Sequence, residues 1–266
     1  MYKIELGNNI DYMKQMDKDT VDLVVTSPPY DDLRNYDNTC NWNFDVFKGV
    51  ANELYRIIKP GGVVIWVVGD KTQDGSESGT SFKQALYFKE IGFRIHDTML
   101  YKKSNYVPLN HDRYEQEFEY MFCFSKGKPK TFNPIRIPCI WAGTSSWGKP
   151  AFYKTDDDNL TKSSGKMVIG DTKIKGNIFE YEVGSRMTGD IDHPAMFPLK
   201  LAEDQIKTWS NKGDLVLDPF MGSGTTGVAS LDLGRNFIGI DIVEKYYKIS
   251  EDRLQKMEKR CKMKLW

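Results

Sequence analysis

The sequence has no excess of charge of either sign: 37 Lys and Arg stand against 37 Asp and Glu in 266 residues. With a net charge of +0, no global field draws the chain to DNA or to an anionic membrane, so any basic surface has to be local. Two stretches can supply one, "SKGKPKTFNPIR" (125–136) and the tail "KYYKISEDRLQKMEKRCKMKLW" (245–266). Long hydrophobic runs are also missing. The longest, "VVIWVVG" (63–69), falls far short of the roughly 20 residues a bilayer requires. The charged start "MYKIELGNNI" lacks a signal-peptide pattern, so a cytoplasmic location is expected. Cysteines number four (Cys40, Cys123, Cys139, Cys261) and none are in C-x-x-C spacing. That argues against a disulfide frame or a zinc site, and no metal is expected. The thiols read as small buried hydrophobes.

What is present is an alternation of strands and helices. "KIEL", "VDLVVT" (21–26) and "VVIWVV" (63–68) read as strands, the last without polar alternation, as when both faces are covered. "FDVFKGVANELYRIIK" (44–59) puts Phe44, Phe47, Val50, Ala51, Leu54 and Ile58 on one helical face, and Pro60-Gly61-Gly62 ends it. A helix over 81–93, strands over 94–103 and 117–126, a helix over 197–210, strands over 214–220 and 236–242, and a charged last helix follow. This order predicts a parallel α/β sheet without internal repeats. Between about Gly127 and Asp192 the pattern gives way to Gly, Ser, Thr, Asn and Lys, with an acidic run at Asp156–Asp158. A loop-like stretch of that length reads as a small inserted module, with short strands such as 177–183.

Two loops are punctuated more heavily than connection requires. In "LVVTSPPYDDLRNY" (23–36) a strand runs into Ser27, Pro28, Pro29 and Tyr30. The prolines fix φ and remove two N–H groups, so this backbone is held still. In "LVLDPFMGSGTTGVAS" (215–230), Gly222, Gly224 and Gly227 form G-x-G-x-x-G between a strand and a helix. Glycines there let a ligand approach the backbone at a helix N-terminus. A Walker loop is excluded because Val228, not lysine, follows Gly227. Asp241 ends the next strand, where a carboxylate can accept from both ribose hydroxyls of a nucleoside. Only about two βα units follow Asp214, so the other strands must come from the N-terminal half. Both loops follow strands and should face one pocket at the carboxyl edge of one sheet.

The pair "TSPPY" (26–30) and "DPFMGSGTTG" (218–227), in that order, resembles the β-arrangement S-adenosylmethionine-dependent DNA amino-methyltransferases. "GNNID" (7–11), "LYRIIKPGGVVIWVVGD" (54–70), "RYEQEFEYMFCFSKG" (113–127) and "HPAMFPLKLAEDQIKTWS" (193–210) resemble further blocks of that family. The resemblance implies a Rossmann-like methyltransferase sheet, circularly permuted, with a small inserted target-recognition region. Residues 1–127 would be the catalytic half, 128–190 the insert and 191–266 the cofactor-binding half. S-adenosyl-L-methionine would be the cofactor and double-stranded DNA the substrate. A cognate restriction endonuclease and a homodimer are further partners the family allows.

The same resemblance assigns roles. The Ser27 side chain and the Pro28 carbonyl would accept the two N–H groups of the exocyclic amine, favouring an sp³-like nitrogen in the transition state. Pro29 would stiffen the loop, and Tyr30 would stack on a base flipped out of the duplex. Asp218 would face the methionine ammonium. Phe220 and the loop residues Gly222, Ser223, Gly224 and Thr225 would line the cofactor wall, and Asp241 would take the ribose. Asn8 would approach the adenine, and His193 and Phe197 would close the methionine end. Lys126, Lys128, Lys130 and Arg136 would meet phosphates, with Trp141 and Trp147 near a groove. Serine before Pro-Pro is a neutral acceptor and favours cytosine N4, whereas aspartate is typical of adenine-N6 enzymes. An RNA or protein methyltransferase would account for the Pro-Pro-Tyr loop. A nicotinamide-type dinucleotide enzyme would account for the glycine loop alone, and an inactive DNA-binding module would have lost one of the two loops, whereas both are present.

Overall fold

The computed structural model describes residues 1–29, 42–106, 113–144, 152–154, 160–162, 168–182 and 198–263. Its elements, in chain order, begin with β1 (Tyr2–Leu6), α1 (Asn9–Gln15), β2 (Val21–Thr26), α2 (Phe44–Ile57) and β3 (Ile58–Val68). The two-residue strands β4 (Thr72–Gln73) and β5 (Ser76–Glu77), then α3 (Thr80–Glu90), β6 (Arg94–Lys103) and β7 (Phe118–Ser125) come next. Four short strands follow: β8 (Arg136–Pro138), β9 (Phe152–Lys154), β10 (Leu160–Lys162) and β11 (Thr172–Ile174). The chain continues with β12 (Ile178–Tyr181), α4 (Leu199–Trp209), β13 (Leu215–Asp218), α5 (Thr225–Asp232), β14 (Asn236–Asp241) and α6 (Glu244–Met263).

Eight of the strands form one sheet in the order β1-β14-β13-β2-β3-β7-β6-β12. Every neighbouring pair is parallel except those made by β7, which is antiparallel to both β3 and β6. The late strands β13 and β14 lie between β1 and β2, which is the spatial form of the expected permutation. Central strands are buried on both faces. Val24, Val64, Trp66 and Val68 join Met13, Phe47, Leu54 and Phe88 of α1 to α3 in one core. The alternate residues Val25, Ile65 and Val67 are equally buried, as are Leu201, Ile206, Ala229 and Leu254 of α4 to α6. Burial on both sides explains why these strands show no polar alternation.

α2 starts where Asn43 accepts from the N–H groups of Asp45 and Val46, both at 3.0 Å. It stops at Ile57, two residues before the expected 59, because Pro60 forces extended backbone on what precedes it. Residues 59–62 then bulge out of β3 opposite Asp22, whose carboxylate accepts from Lys59 at 2.7 Å and from the Leu215 N–H at 2.9 Å.

The chain divides into two compact units, residues 1–133 with 177–266, and residues 134–176. The second is narrower than the expected 128–190. Asn133 donates to the carbonyls of Lys207 and Ser210 at the end of α4, which keeps the preceding residues with the larger unit. The stretch 177–183, expected inside the insert, supplies β12, the strand that pairs parallel to β6 at the edge of the main sheet. In the smaller unit β8 pairs with β11 and β9 with β10, each antiparallel, and Ile140 and Trp141 are exposed.

Candidate active site

β2 and β13 are direct neighbours, with Leu23 level with Val216 and Val24 level with Leu217. The ladder ends there, and side chains continue the connection. The Thr26 hydroxyl donates to Asp218 Oδ1 at 2.6 Å. Thr26 is 0% and Asp218 1% exposed, so water does not compete for this bond. The same oxygen accepts from the Phe220 N–H at 3.1 Å. The Thr226 hydroxyl also bonds the carboxylate and lies 3.2 Å from the Val25 carbonyl. Burial pushes the Asp218 carboxyl up to about 6, against the pull of these hydrogen bonds, with the Asp241 charge adding a smaller push upward. Its described contacts are with protein donors.

The glycine loop is built from three sides. Gly224 caps α5 at φ 78°, and a Cβ there would sit 2.9 Å from the Ser250 Cβ of α6. Gly227 lets α5 close on the sheet, since a Cβ would lie 2.6 Å from the Phe237 ring. Asp241, at the end of β14, accepts from the Gly222 N–H at 2.7 Å and from the Val243 N–H at 2.8 Å. Burial raises its carboxyl against these bonds. From α6, Arg253 donates to the Ser223 carbonyl and, at 3.0 Å, to the Ser223 hydroxyl, with the Thr225 hydroxyl at 3.4 Å. Asn9 donates from α1 to the Pro219 carbonyl at 3.0 Å. The Phe220 ring meets Trp42 and Trp66 edge-on, at centroid distances of 5.2 and 6.1 Å. Phe220, Gly222, Ser223, Gly224, Thr225 and Asp241 are thus brought together as the sequence implied.

Beside them, Ser27 leaves β2 half-buried, and Pro28 and Pro29 are buried. Tyr30, His193, Phe197 and Trp147 lie outside the described residues. Asn8 is reassigned: its side-chain oxygen caps α1, accepting from Ile10 N at 2.9 Å and Asp11 N at 3.3 Å. The neighbouring Asn9 is the residue that touches the glycine loop.

The lysines are not brought to this edge. Lys126 donates to Asp19 at 2.7 Å and to the carbonyls of Tyr55 and Ile58 at 2.9 and 3.0 Å, so it caps the end of α2. Its backbone pairs with Gly61 and Gly62, and Lys130 N donates to the Gly61 carbonyl. From Gly62 to Trp66, which is level with Thr26, four residues of strand span about 13 Å. Lys126 and Lys130 therefore belong to the opposite edge of the sheet, with Lys128 between them in sequence. In the smaller unit, Arg136 donates to the Thr172 hydroxyl at 2.8 Å and its carbonyl at 3.0 Å. Cys123 is buried, while Cys139 and Cys261 are partly exposed.

Four residues that matter here escape a reading of the sequence: Thr26, Thr226, Asn9 and Arg253. Thr26 and Thr226 sit inside the two motifs and could have been found there. Asn9 and Arg253 have only the helical pattern of their neighbours, and their targets are remote in sequence.

The DNA methylase family of the N6/N4 type matches residues 21–252. The orphan methyltransferase M.BamHII of Bacillus amyloliquefaciens is 48% identical over 241 residues, covering 89% of each chain. Among solved structures, the PvuII DNA methyltransferase, described as cytosine-N4-specific, superposes with a TM-score of 0.71 at 19% identity, covering 98% of this chain and 91% of that one. The M1.HpyAVI–SAM complex gives 0.62 at 24% identity, over 96% and 100% of the two chains. The match across both loops and the sheet that joins them settles the assignment: the chain belongs to the N6/N4 DNA methylases, a family of S-adenosylmethionine-dependent DNA amino-methyltransferases.

Proposed function

We propose that the chain methylates the N4 amine of cytosine in double-stranded DNA, with adenine N6 as the second reading. The observation that carries this is the adjacency of Ser27–Pro29 and the glycine loop on neighbouring strands, stitched together at Thr26 and Asp218. Serine rather than aspartate before Pro-Pro favours cytosine, because serine at that place resembles the cytosine-N4 enzymes and aspartate the adenine-N6 enzymes.

The residues fit the cofactor. Backbone N–H groups and glycines crowd the start of α5, a phenylalanine forms a wall, and a buried carboxylate ends β14. When bound, S-adenosylmethionine supplies an electrophilic methyl group on its sulfonium. Asp241 would hold the ribose, and Phe220 with Gly222–Thr225 would bound the cavity. The Ser27 Oγ and the Pro28 carbonyl would accept the two amine N–H groups. These bonds strengthen as nitrogen becomes tetrahedral, so they lower the barrier rather than the ground state. On transfer of the methyl group to the amine, the surplus amine proton would leave by way of the Ser27 hydroxyl or the Pro28 carbonyl to solvent. Tyr30 would hold the flipped base by stacking, worth ~1–3 kcal/mol.

The insert, with Arg136 and Trp141, would read the target sequence. Cytoplasmic work on DNA without a dedicated endonuclease is the setting we favour, since the relative at 48% identity is described as an orphan methyltransferase. Among the described residues no helix is long and apolar enough to cross a membrane. Nucleoside mass spectrometry on DNA from cells expressing the chain tests the reading. N4-methylcytosine is expected, N6-methyladenine would move the assignment to the second base, and neither mark would defeat it.

A further inference from the structure

We propose that Thr26 is a positioning residue: its buried hydrogen bond to Asp218 sets the catalytic loop and the cofactor loop in one register. The inference rests on the functional reading above for what the two loops bind, and on the described geometry for the link itself.

The backbone ladder between β2 and β13 stops at Val24 and Leu217, before either loop begins. Past that point β2 is fastened to the cofactor half by side chains. Thr26 Oγ1 donates to Asp218 Oδ1 at 2.6 Å, and Thr226 Oγ1 lies 3.2 Å from the Val25 carbonyl. Each bond reaches the last two residues before Ser27. On the other side, Asp218 Oδ1 also accepts from the Phe220 N–H, so one oxygen gathers the end of β2 and the turn that opens the cofactor loop. A shift of that turn by a fraction of an ångström moves the acceptor and hence Thr26, the residue bonded directly to Ser27. Methyl transfer demands in-line placement of nitrogen and methyl carbon, and misplacement by about 1 Å can cost ~10²-fold. The choice of residues supports a specific role. A carboxylate buried to this degree is expensive, and an apolar pair would tie two strands together at lower cost.

The bond has a direction: Thr26 donates and Asp218 accepts. Thr26→Ser keeps the donor, whereas Thr26→Val keeps the shape and loses it. Two measurements on the purified full chain test the link. In steady-state methylation of duplex DNA, Thr26→Val is expected to lose at least 10-fold in kcat, with the dissociation constant of S-adenosylhomocysteine within about 3-fold of wild type. Thr26→Ser should recover most of the rate. In hydrogen–deuterium exchange, adding S-adenosylhomocysteine should slow exchange in the peptide covering residues 21–29 of wild type and Thr26→Ser, but not of Thr26→Val. Equal protection in a folded Thr26→Val, a wild-type kcat in that variant, or no protection in wild type would overturn the proposal. A wild type that shows the protection but methylates no DNA would instead defeat the functional reading and leave the link standing.

Discussion

Thr26 and Asp218, 192 residues apart in the chain, share a 2.6 Å hydrogen bond inside the sheet. Each ends a strand and introduces one of the two loops that define the family. The bond joins the loops where the ladder between their strands has run out.

A titration follows from the burial of Asp218. Its folded value, about 6, lies above the ordinary 3.8, so the folded chain binds this proton more tightly than the unfolded one. The stability that the group contributes is therefore full below about pH 4 and is lost as pH rises toward 6. The loss is on the order of 3 kcal/mol at about 1.4 kcal/mol per pKa unit. Asp241 also faces the site and titrates upward, so a comparison with Asp218→Asn is needed to isolate the effect. Urea melts of both proteins from pH 4 to 8 should show the wild-type advantage shrinking to about pH 6 and then levelling. A difference independent of pH would contradict the assignment.

On the proposed reading, Ser27→Ala would remove an acceptor from the reacting amine. Its kcat should fall by about 10²-fold, by analogy with removal of one preorganised hydrogen-bonding group. Cofactor affinity in a calorimetric titration should stay within about 3-fold, because only a transition-state interaction is lost. An affinity loss as large as the rate loss would place Ser27 on the cofactor instead. Tyr30→Ala should share the pattern, with the loss falling partly on KM for DNA.

Arg253 braces the Ser223 carbonyl from behind the cofactor loop. Arg253→Met should raise KM for S-adenosylmethionine about 10-fold while leaving kcat at saturation nearly unchanged. Arg253→Lys should restore part of the affinity, since one ammonium reaches one or two of the three acceptors. A fall in kcat with KM constant would show that the brace acts on the chemistry.

Lys126→Ala should lower stability by about 1–3 kcal/mol, the range for losing a charge-assisted bond at a helix end. DNA affinity and its dependence on salt should not change. A shallower salt slope would return Lys126 to the phosphate contacts.

Much of this molecule was legible before its structure. Strands β6 and β7 and the two punctuated loops follow from local pattern, because turn chemistry and periodicity are written within a few residues. The convergence of Ser27 with the glycine loop followed from topology, since parallel strands present their loops at one edge. What escaped depends on neighbours remote in sequence. Asn8 and Asn9 are indistinguishable by type, and only the helix start decides that one caps α1 and the other reaches Pro219. The Lys126 side chain reads as a phosphate contact until the end of α2 is seen beneath it. Asp218 reads as a cofactor residue alone, and nothing local shows that Thr26 donates to it. The boundary of the insert was blurred by β12, four residues whose partner strand begins at Arg94.

The position of β13 and β14 between β1 and β2 bears on how the protein is made. During synthesis β2 emerges early, yet the neighbour that covers one of its edges arrives only after about 190 more residues. At about 5–20 residues per second, that leaves the hydrophobic edge of Val21–Thr26 open for roughly 10–40 s on the ribosome. The first strand waits longer still, because its partner among the described strands is β14. The strand order therefore leaves the nascent chain with half a sheet until β13 and β14 are made.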